Sequence, residues 1–142
     1  MAMLTIRWRS VIDVIAADQS LQELILSGGD PLTLSGARLA ELSARLQPIP
    51  HLKRLRIHTR QPIGLPARVD PGFIAWLGSL PWQTIMVLHC NHPNEIDAEV
   101  AGAGARLRAA CSTATYCPTT CTCSIRCAAR PISRSARSWR AD

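Results

Sequence analysis

Three groups of polar residues in this 142-residue chain have types and spacing suited to chemistry. Each follows a short apolar run, and they are Ser27-Gly28-Gly29-Asp30, then His58-Thr59-Arg60, then His89 to Glu95. Paired glycines let a backbone approach a ligand closely, so their amide and carbonyl groups can pair with the zwitterionic end of an amino acid. An arginine such as Arg60 can bind a carboxylate or a phosphate. Together the groups suggest a binding site for a small polar ligand.

The third group also permits other chemistry. His89 and His92 with Asn91 suggest a metal site, but no clear third ligand accompanies them. Cys90 beside His89 invites interpretation as a nucleophile, but no third group is evident to orient the pair. Ordinary loop histidines and a plain strand-to-helix turn at Gly28-Gly29 are the competing interpretations. The sequence therefore favours ordinary loop histidines over a metal or covalent site, and it leaves the glycine turn open between a ligand contact and a plain turn.

Apolar periodicity places these groups between regular elements. A 3.6-residue period predicts helices over residues 8–17, from the N-cap Ser35 to Gln47, from Pro71 onward, and from Pro93 to about Ala110. Short apolar or alternating runs predict strands over residues 21–27, 52–59 and 84–88, the last covered on both faces. Three prolines make residues 61–71 a predicted loop.

A helix followed by three strand–helix units indicates an α/β fold with a parallel sheet. In such sheets ligands bind at the carboxyl ends of the strands, which is where all three polar groups fall. Three units cannot close an eight-stranded barrel of about 250 residues. The expectation is a small open α/β domain or an arc of a barrel, whose sheet edges lack partners.

Composition excludes several protein classes. Apolar residues make up 47% of the chain and charged residues 18%, which argues against disorder. No apolar run has the length of a membrane span, and no signal peptide is evident at the start. The cytoplasm is therefore the expected compartment, where the six cysteines would stay reduced.

The chain changes composition near Ala110, which predicts a barrel-like part at 1–110 and a tail at 111–142. Ser, Thr, Ala, Cys and Arg supply 25 of the 32 tail residues, so we expect poor order and consider a shifted reading frame as their origin. Cys117, Cys121, Cys123 and Cys127 resemble a metal-ligand set, although zinc sites usually separate two cysteine pairs by a longer loop. A cysteine-tail metal module and a small basic nucleic-acid-binding protein remain alternatives, the latter disfavoured because the tail offers no stacking platform.

Three strings carry a more specific resemblance: LILSGGDPL at Leu24–Leu32, HLKRLRIHTRQPIGLPARV at His51–Val69, and HCNHPNEI at His89–Ile96. In that order and spacing they resemble the lysine 2,3-aminomutase family of radical S-adenosylmethionine enzymes. The similarity covers about residues 5–110 and is greatest to the branch that makes β-lysine for modifying elongation factor P.

The resemblance implies a partial TIM-type radical S-adenosylmethionine barrel with a leading helix. In that family S-adenosylmethionine sits on a [4Fe-4S] cluster, and its cleavage starts the migration of the lysine amino group from C2 to C3. Pyridoxal phosphate carries the lysine as an imine. By position, Ser27, Gly28, Gly29 and Asp30 match the turn that receives the amino-acid end of S-adenosylmethionine, and His89 matches a histidine near it. Arg60 lies in a matching motif whose role the resemblance does not specify.

The chain also departs from the family pattern. The CxxxCxxC cluster loop, which should precede the first helix, is missing, and Cys117, Cys121 and Cys123 have the wrong spacing and place. The family strand with an Asn-Gln pair and the pyridoxal phosphate lysine do not follow Ala110, and Lys53 lies elsewhere. Since the cluster needs three cysteine thiolates, we expect this polypeptide to be a fragment that is inactive by itself.

Overall fold

The computed structural model describes residues 3–111 and 113–118, which form an α/β fold around a parallel sheet. The helices are α1 (Met3–Ala17), α2 (Gly36–Leu46), α3 (Gln61–Gly64), α4 (Pro71–Gly78) and α5 (Ala98–Ala110). The strands are β1 (Glu23–Leu26), β2 (Arg54–Thr59), β3 (Gln83–Cys90) and β4 (Thr113–Pro118), adjacent in chain order. The predicted leading helix and three strand–helix units are confirmed.

Side-chain caps start the three longer helices that follow the strands, α2, α4 and α5. Ser35 accepts a hydrogen bond from the Arg38 N–H, which confirms the predicted start of α2. Asp70 accepts from the N–H of Phe73 at the start of α4, and Asp97 accepts from that of Val100 at the start of α5. Each cap satisfies a backbone donor that the first helical turn leaves unpaired.

Strand alternation divides the sheet into a covered face and an open face. In β2 and β3 the residues buried on the covered face are Leu55, Ile57, Thr59, Thr84, Met86, Leu88 and Cys90. The apolar members of this set belong to one core with buried residues of α2, α4 and α5, among them Leu39, Phe73 and Leu107. The alternate residues, including His58 and His89, are half-buried or exposed on the open face. In β2 and β3 the sheet therefore has one packed side.

Three sequence predictions need correction. Residues 61–71 are not simply a loop, since α3 and a 3₁₀ turn at Pro66–Arg68 each begin beside a proline, whose fixed φ suits a first helical turn. The helix predicted from Pro93 begins only at Ala98, after a separate 3₁₀ turn at Pro93–Glu95. Ile85 and Val87 are half-buried, so β3 is not covered equally on both faces.

A fourth strand lies beyond the predicted composition boundary. β4 pairs in parallel with β3, with Thr113 opposite Ile85 and Cys117 opposite His89. The sequence predicts poor order from residue 111 onward, because it has few aliphatic residues there, and β4 corrects that prediction for residues 113–118. The remainder of the predicted tail, residues 119–142 with Cys121, Cys123 and Cys127, lies outside the described residues. The division at 110 stays a prediction.

A membrane span requires a helix that is both long and apolar. None of the helices within residues 3–111 combines the length and the apolar character needed to cross a bilayer.

Candidate functional site

Parallel pairing brings the three predicted polar groups to one edge of the sheet. β1 ends at Leu26 just before Ser27, β2 ends at Thr59 just before Arg60, and His89 is the penultimate residue of β3. Hydrogen bonds that Asp30 accepts from Thr59 and Arg60 connect the first two groups directly. His89 contacts His58 on β2 rather than the Ser27–Asp30 turn.

The Gly28-Gly29 turn has a backbone that only glycine adopts easily. Gly28 has a φ of 83° and Gly29 a φ of 74°, both in the left-handed region. Ser27 and both glycines are exposed, and a Cβ at either glycine would meet no atom within 4 Å. The pair therefore turns the chain sharply and leaves backbone amide and carbonyl groups open to a ligand.

The carboxylate of Asp30 joins the end of β1 to the end of β2. Its Oδ1 accepts from the Leu32 N–H at 3.0 Å and from the Thr59 hydroxyl at 2.6 Å. Its Oδ2 accepts from the N–H groups of Arg60 at 2.6 Å and Gln61 at 3.2 Å. Both oxygens are thus engaged by the protein, and the side chain acts to position the turn.

A second carboxylate joins the end of β2 to the end of β3. The Arg60 guanidinium donates from Nη2 to Oε1 of Glu95 at 2.8 Å. The Asn91 N–H donates to Oε2 of the same residue at 2.9 Å. The Asn91 N–H and the Arg60 side chain hold the pKa of Glu95 below its usual value, so the carboxylate is ionised at neutral pH.

Two histidines meet on the open face near the same edge. Nε2 of His89 lies 3.2 Å from Nδ1 of His58, and the ring centroids are 5.3 Å apart. Partial burial, His89 and Arg56 lower the pKa of His58, and Glu23 opposes them. The neutral form of His58 is therefore favoured near pH 7, which allows one ring to donate a hydrogen bond to the other.

An apolar cavity of about 400 Å³ adjoins the glycine turn. Its wall includes residues of α1, β1, the turn at 27–30 and α2, and the apolar lining side chains include Trp8, Ile12, Ile15, Leu24 and Leu42. The polar turn forms one boundary of a mostly apolar space. A ligand with an apolar body and a charged end fits this combination.

The described residues differ in how well they suit the cofactors that the resemblance implies. The exposed glycine turn suits the amino-acid end of S-adenosylmethionine. Among residues 8–111, whose side chains the structure describes, no three His, Cys, Asp or Glu side chains form a group that could hold a metal or a cluster. Lys53 precedes β2 and donates from Nζ to the carbonyl of Pro50, at the opposite end of the strand from the site. It cannot serve as a pyridoxal phosphate lysine in this arrangement.

Two members of the polar groups, Thr59 and Glu95, organise this edge in a way that the sequence does not predict. Thr59 is 2% exposed, and its hydroxyl donates to Asp30. Glu95 falls within the helix that the sequence predicts from Pro93, whereas the structure places it in the 3₁₀ turn at Pro93–Glu95. A buried threonine between His58 and Arg60 carries no distinct signal, but Pro93 two residues before Glu95 could have indicated a separate turn.

Comparison with known proteins finds relatives that share one name, although no family model matches the chain. The L-lysine 2,3-aminomutase of Haemophilus influenzae is 48% identical over 102 residues, which is 72% of this chain and 30% of that protein. The L-lysine 2,3-aminomutase of Escherichia coli is 42% identical over 71% of this chain and 30% of its own length. The protein of the same name from Clostridium subterminale is 38% identical over 62% and 21%, respectively. The chain thus spans less than a third of each relative.

Replacing Asp30 by asparagine should destabilise the fold. The amide nitrogen of the new side chain would face backbone N–H donors in place of an oxygen, so we expect the free energy of unfolding to fall by about 2–3 kcal/mol. Urea unfolding followed by circular dichroism measures this. Asp97→Asn is the matched control with an expected loss of about 0.5 kcal/mol or less, because asparagine caps a helix about as well as aspartate. Equal losses in the two variants would contradict the assignment.

His58 should make stability sensitive to acid. Its pKa in the folded chain is below the ordinary value of 6.5, so below that pH the unfolded chain binds a proton that the folded chain resists. The free energy of unfolding should therefore fall as the pH drops through 6.5. His58→Gln should reduce this fall relative to the parent chain. An unchanged pH dependence in His58→Gln would refute the assignment.

Proposed function

Because this chain belongs to the lysine 2,3-aminomutase family over about 70% of its length, we propose that it forms the S-adenosylmethionine-receiving part of such an enzyme. In this proposal the open face of the sheet corresponds to the inner wall of a partial TIM-type barrel. The reaction is the 2,3-migration of the amino group of lysine, a small-molecule substrate. The alternatives of a nucleic-acid-binding protein and a cysteine-tail metal module gain no support from the described residues.

One observation carries the proposal: the exposed Ser27-Gly28-Gly29 backbone lies at the sheet edge, next to an Asp30 carboxylate that is bonded to the end of β2. The backbone groups of the turn would pair with the amino-acid end of S-adenosylmethionine. Both oxygens of Asp30 are engaged by the protein itself, so within this site the side chain positions the turn. Arg60 and His89, at the ends of the two neighbouring strands, would supply further polar contacts to the same ligand or to lysine.

The remaining cofactors would need residues other than those described. When bound, the [4Fe-4S] cluster and pyridoxal phosphate supply the radical and the carbonyl chemistry of the family. The described residues hold neither a cluster ligand set nor a lysine at the site edge. We therefore propose that this chain alone does not form β-lysine, and that its part in the reaction is binding and orientation.

A transplant tests the proposed role. The 102 matched residues would replace their counterpart in the Haemophilus influenzae enzyme, and the chimera should form β-lysine from lysine, detected by mass spectrometry. The chimera with Gly29→Ala should lose about tenfold or more in activity, because alanine resists the positive φ of the turn. Gly36→Ala is the control, since Gly36 has a helical backbone and open space around it. A chimera that folds but has no activity would refute the proposal.

The isolated chain gives a separate test of the predicted inactivity. It would be incubated with iron, sulfide, pyridoxal phosphate, S-adenosylmethionine, lysine and a reductant, with the intact Haemophilus influenzae enzyme as the positive control. We expect no β-lysine above background, because the described residues contain no site for the cluster. Formation of β-lysine by the purified chain would overturn this part of the proposal.

A further inference from the structure

Glu95 lies outside the proposed ligand contacts, yet it is the residue that controls the Arg60 side chain. Its Oε1 accepts from Arg60 Nη2 at 2.8 Å, and its Oε2 accepts from the Asn91 N–H at 2.9 Å. One carboxylate therefore fixes a side chain from β2 against the backbone that follows β3. The Arg60 side chain is 44% exposed and that of Glu95 28%, so the pair lies at the surface of the site edge.

Arg60 is restrained at both of its ends. Its backbone N–H donates to Asp30 at 2.6 Å, and its guanidinium donates to Glu95. Asp30, Arg60 and Glu95 thus form a continuous chain of hydrogen bonds across the ends of β1, β2 and β3. The guanidinium has five N–H donors, of which Glu95 takes one in this arrangement.

We propose that Glu95 is the positioning residue of Arg60: it holds the guanidinium at the carboxyl edge of the sheet, with its remaining N–H groups available to the carboxylate of an amino-acid ligand. The identity of the ligand rests on the proposed function, whereas the restraint itself does not. A long arginine side chain loses much rotamer freedom when it binds a ligand, and a partner that orients it beforehand reduces that loss. Glu95 is ionised at neutral pH, as its lowered pKa requires.

A surface ion pair that does not position Arg60 would respond differently to substitution. Exposed pairs contribute little to stability, so removing one changes little else. In contrast, a positioning residue affects the function of its partner while the fold stays nearly as stable. The two roles therefore separate when stability and Arg60-dependent binding are measured on the same variants.

The restraint can be tested on this chain by hydrogen exchange. In Glu95→Gln, which keeps the side-chain shape and removes the charge, we expect the Asn91 amide to exchange about tenfold faster or more by NMR. Glu99→Gln, an exposed change in the first turn of α5, should leave the exchange rate unchanged. The urea midpoint of both variants should stay near that of the parent. Unchanged Asn91 exchange in Glu95→Gln would overturn the proposed restraint.

The functional part is tested in the Haemophilus influenzae chimera with a double-mutant cycle. Glu95→Gln should raise the KM for lysine or for S-adenosylmethionine about tenfold and change kcat less than about twofold. Arg60→Lys should also raise that KM, and adding Glu95→Gln to it should cause no further rise, because Glu95 acts through Arg60. The ligand whose KM changes identifies the carboxylate. Independent, multiplying effects, or no change in either KM, would overturn the proposal.

The two proposals fail in different ways. An inactive parent chimera would count against the proposed function, and the exchange experiment on this chain would still decide whether Glu95 restrains the edge. An active chimera with unaltered KM values in Glu95→Gln would refute the positioning role and leave the proposed function standing.

Discussion

The carboxylate of Asp30 is the interaction on which the arrangement of the sheet edge depends. Strand pairing between β1 and β2 ends at Leu26 and Ile57, so backbone pairing in the sheet does not extend to the segments beyond. Four donors from two segments converge on the two oxygens of Asp30. Hydrogen bonds to a charged acceptor are stronger than those to a neutral one. Because four of them meet at Asp30, they fix the turn against the end of β2.

A second carboxylate makes the equivalent connection between the next two strands. Glu95 connects the end of β2 to the end of β3, as Asp30 connects β1 to β2. Arg68 makes a similar connection between two segments. It donates to the carbonyls of Leu32 and Leu34 and so joins the 3₁₀ turn at Pro66–Arg68 to the segment after Asp30. Charged side chains thus connect the loops of this edge by hydrogen bonds, in addition to the apolar packing of residues such as Leu32 and Ile63. A preorganised loop can bind a ligand without a large ordering cost.

The two faces of the sheet serve different purposes. The covered face contains the packed core with α2, α4 and α5, which supplies apolar burial. The open face contains Glu23 with Arg54 and Arg56 at one end, and His58 with His89 at the other. Polar residues on a sheet face that a barrel would enclose fit the proposed origin of this chain from a longer enzyme. The exposed Ile25 on β1 is consistent with that origin as well.

The sequence by itself determined the order of the elements and the edge at which the polar groups lie. Helix and strand periods arise from local burial, and parallel topology follows from their alternation, so α1, α2, α4 and the first three strands could be predicted from residue spacing. The sequence also indicated the Ser27–Asp30 turn and Arg60 as candidate ligand contacts. Only the tertiary structure decided that both carboxylate oxygens of Asp30 bond to the protein itself, that Glu95 restrains Arg60, and that β4 extends the sheet. These features depend on contacts between residues about 30 positions apart in the chain or on pairing with a neighbouring strand, and local periodicity carries no record of either.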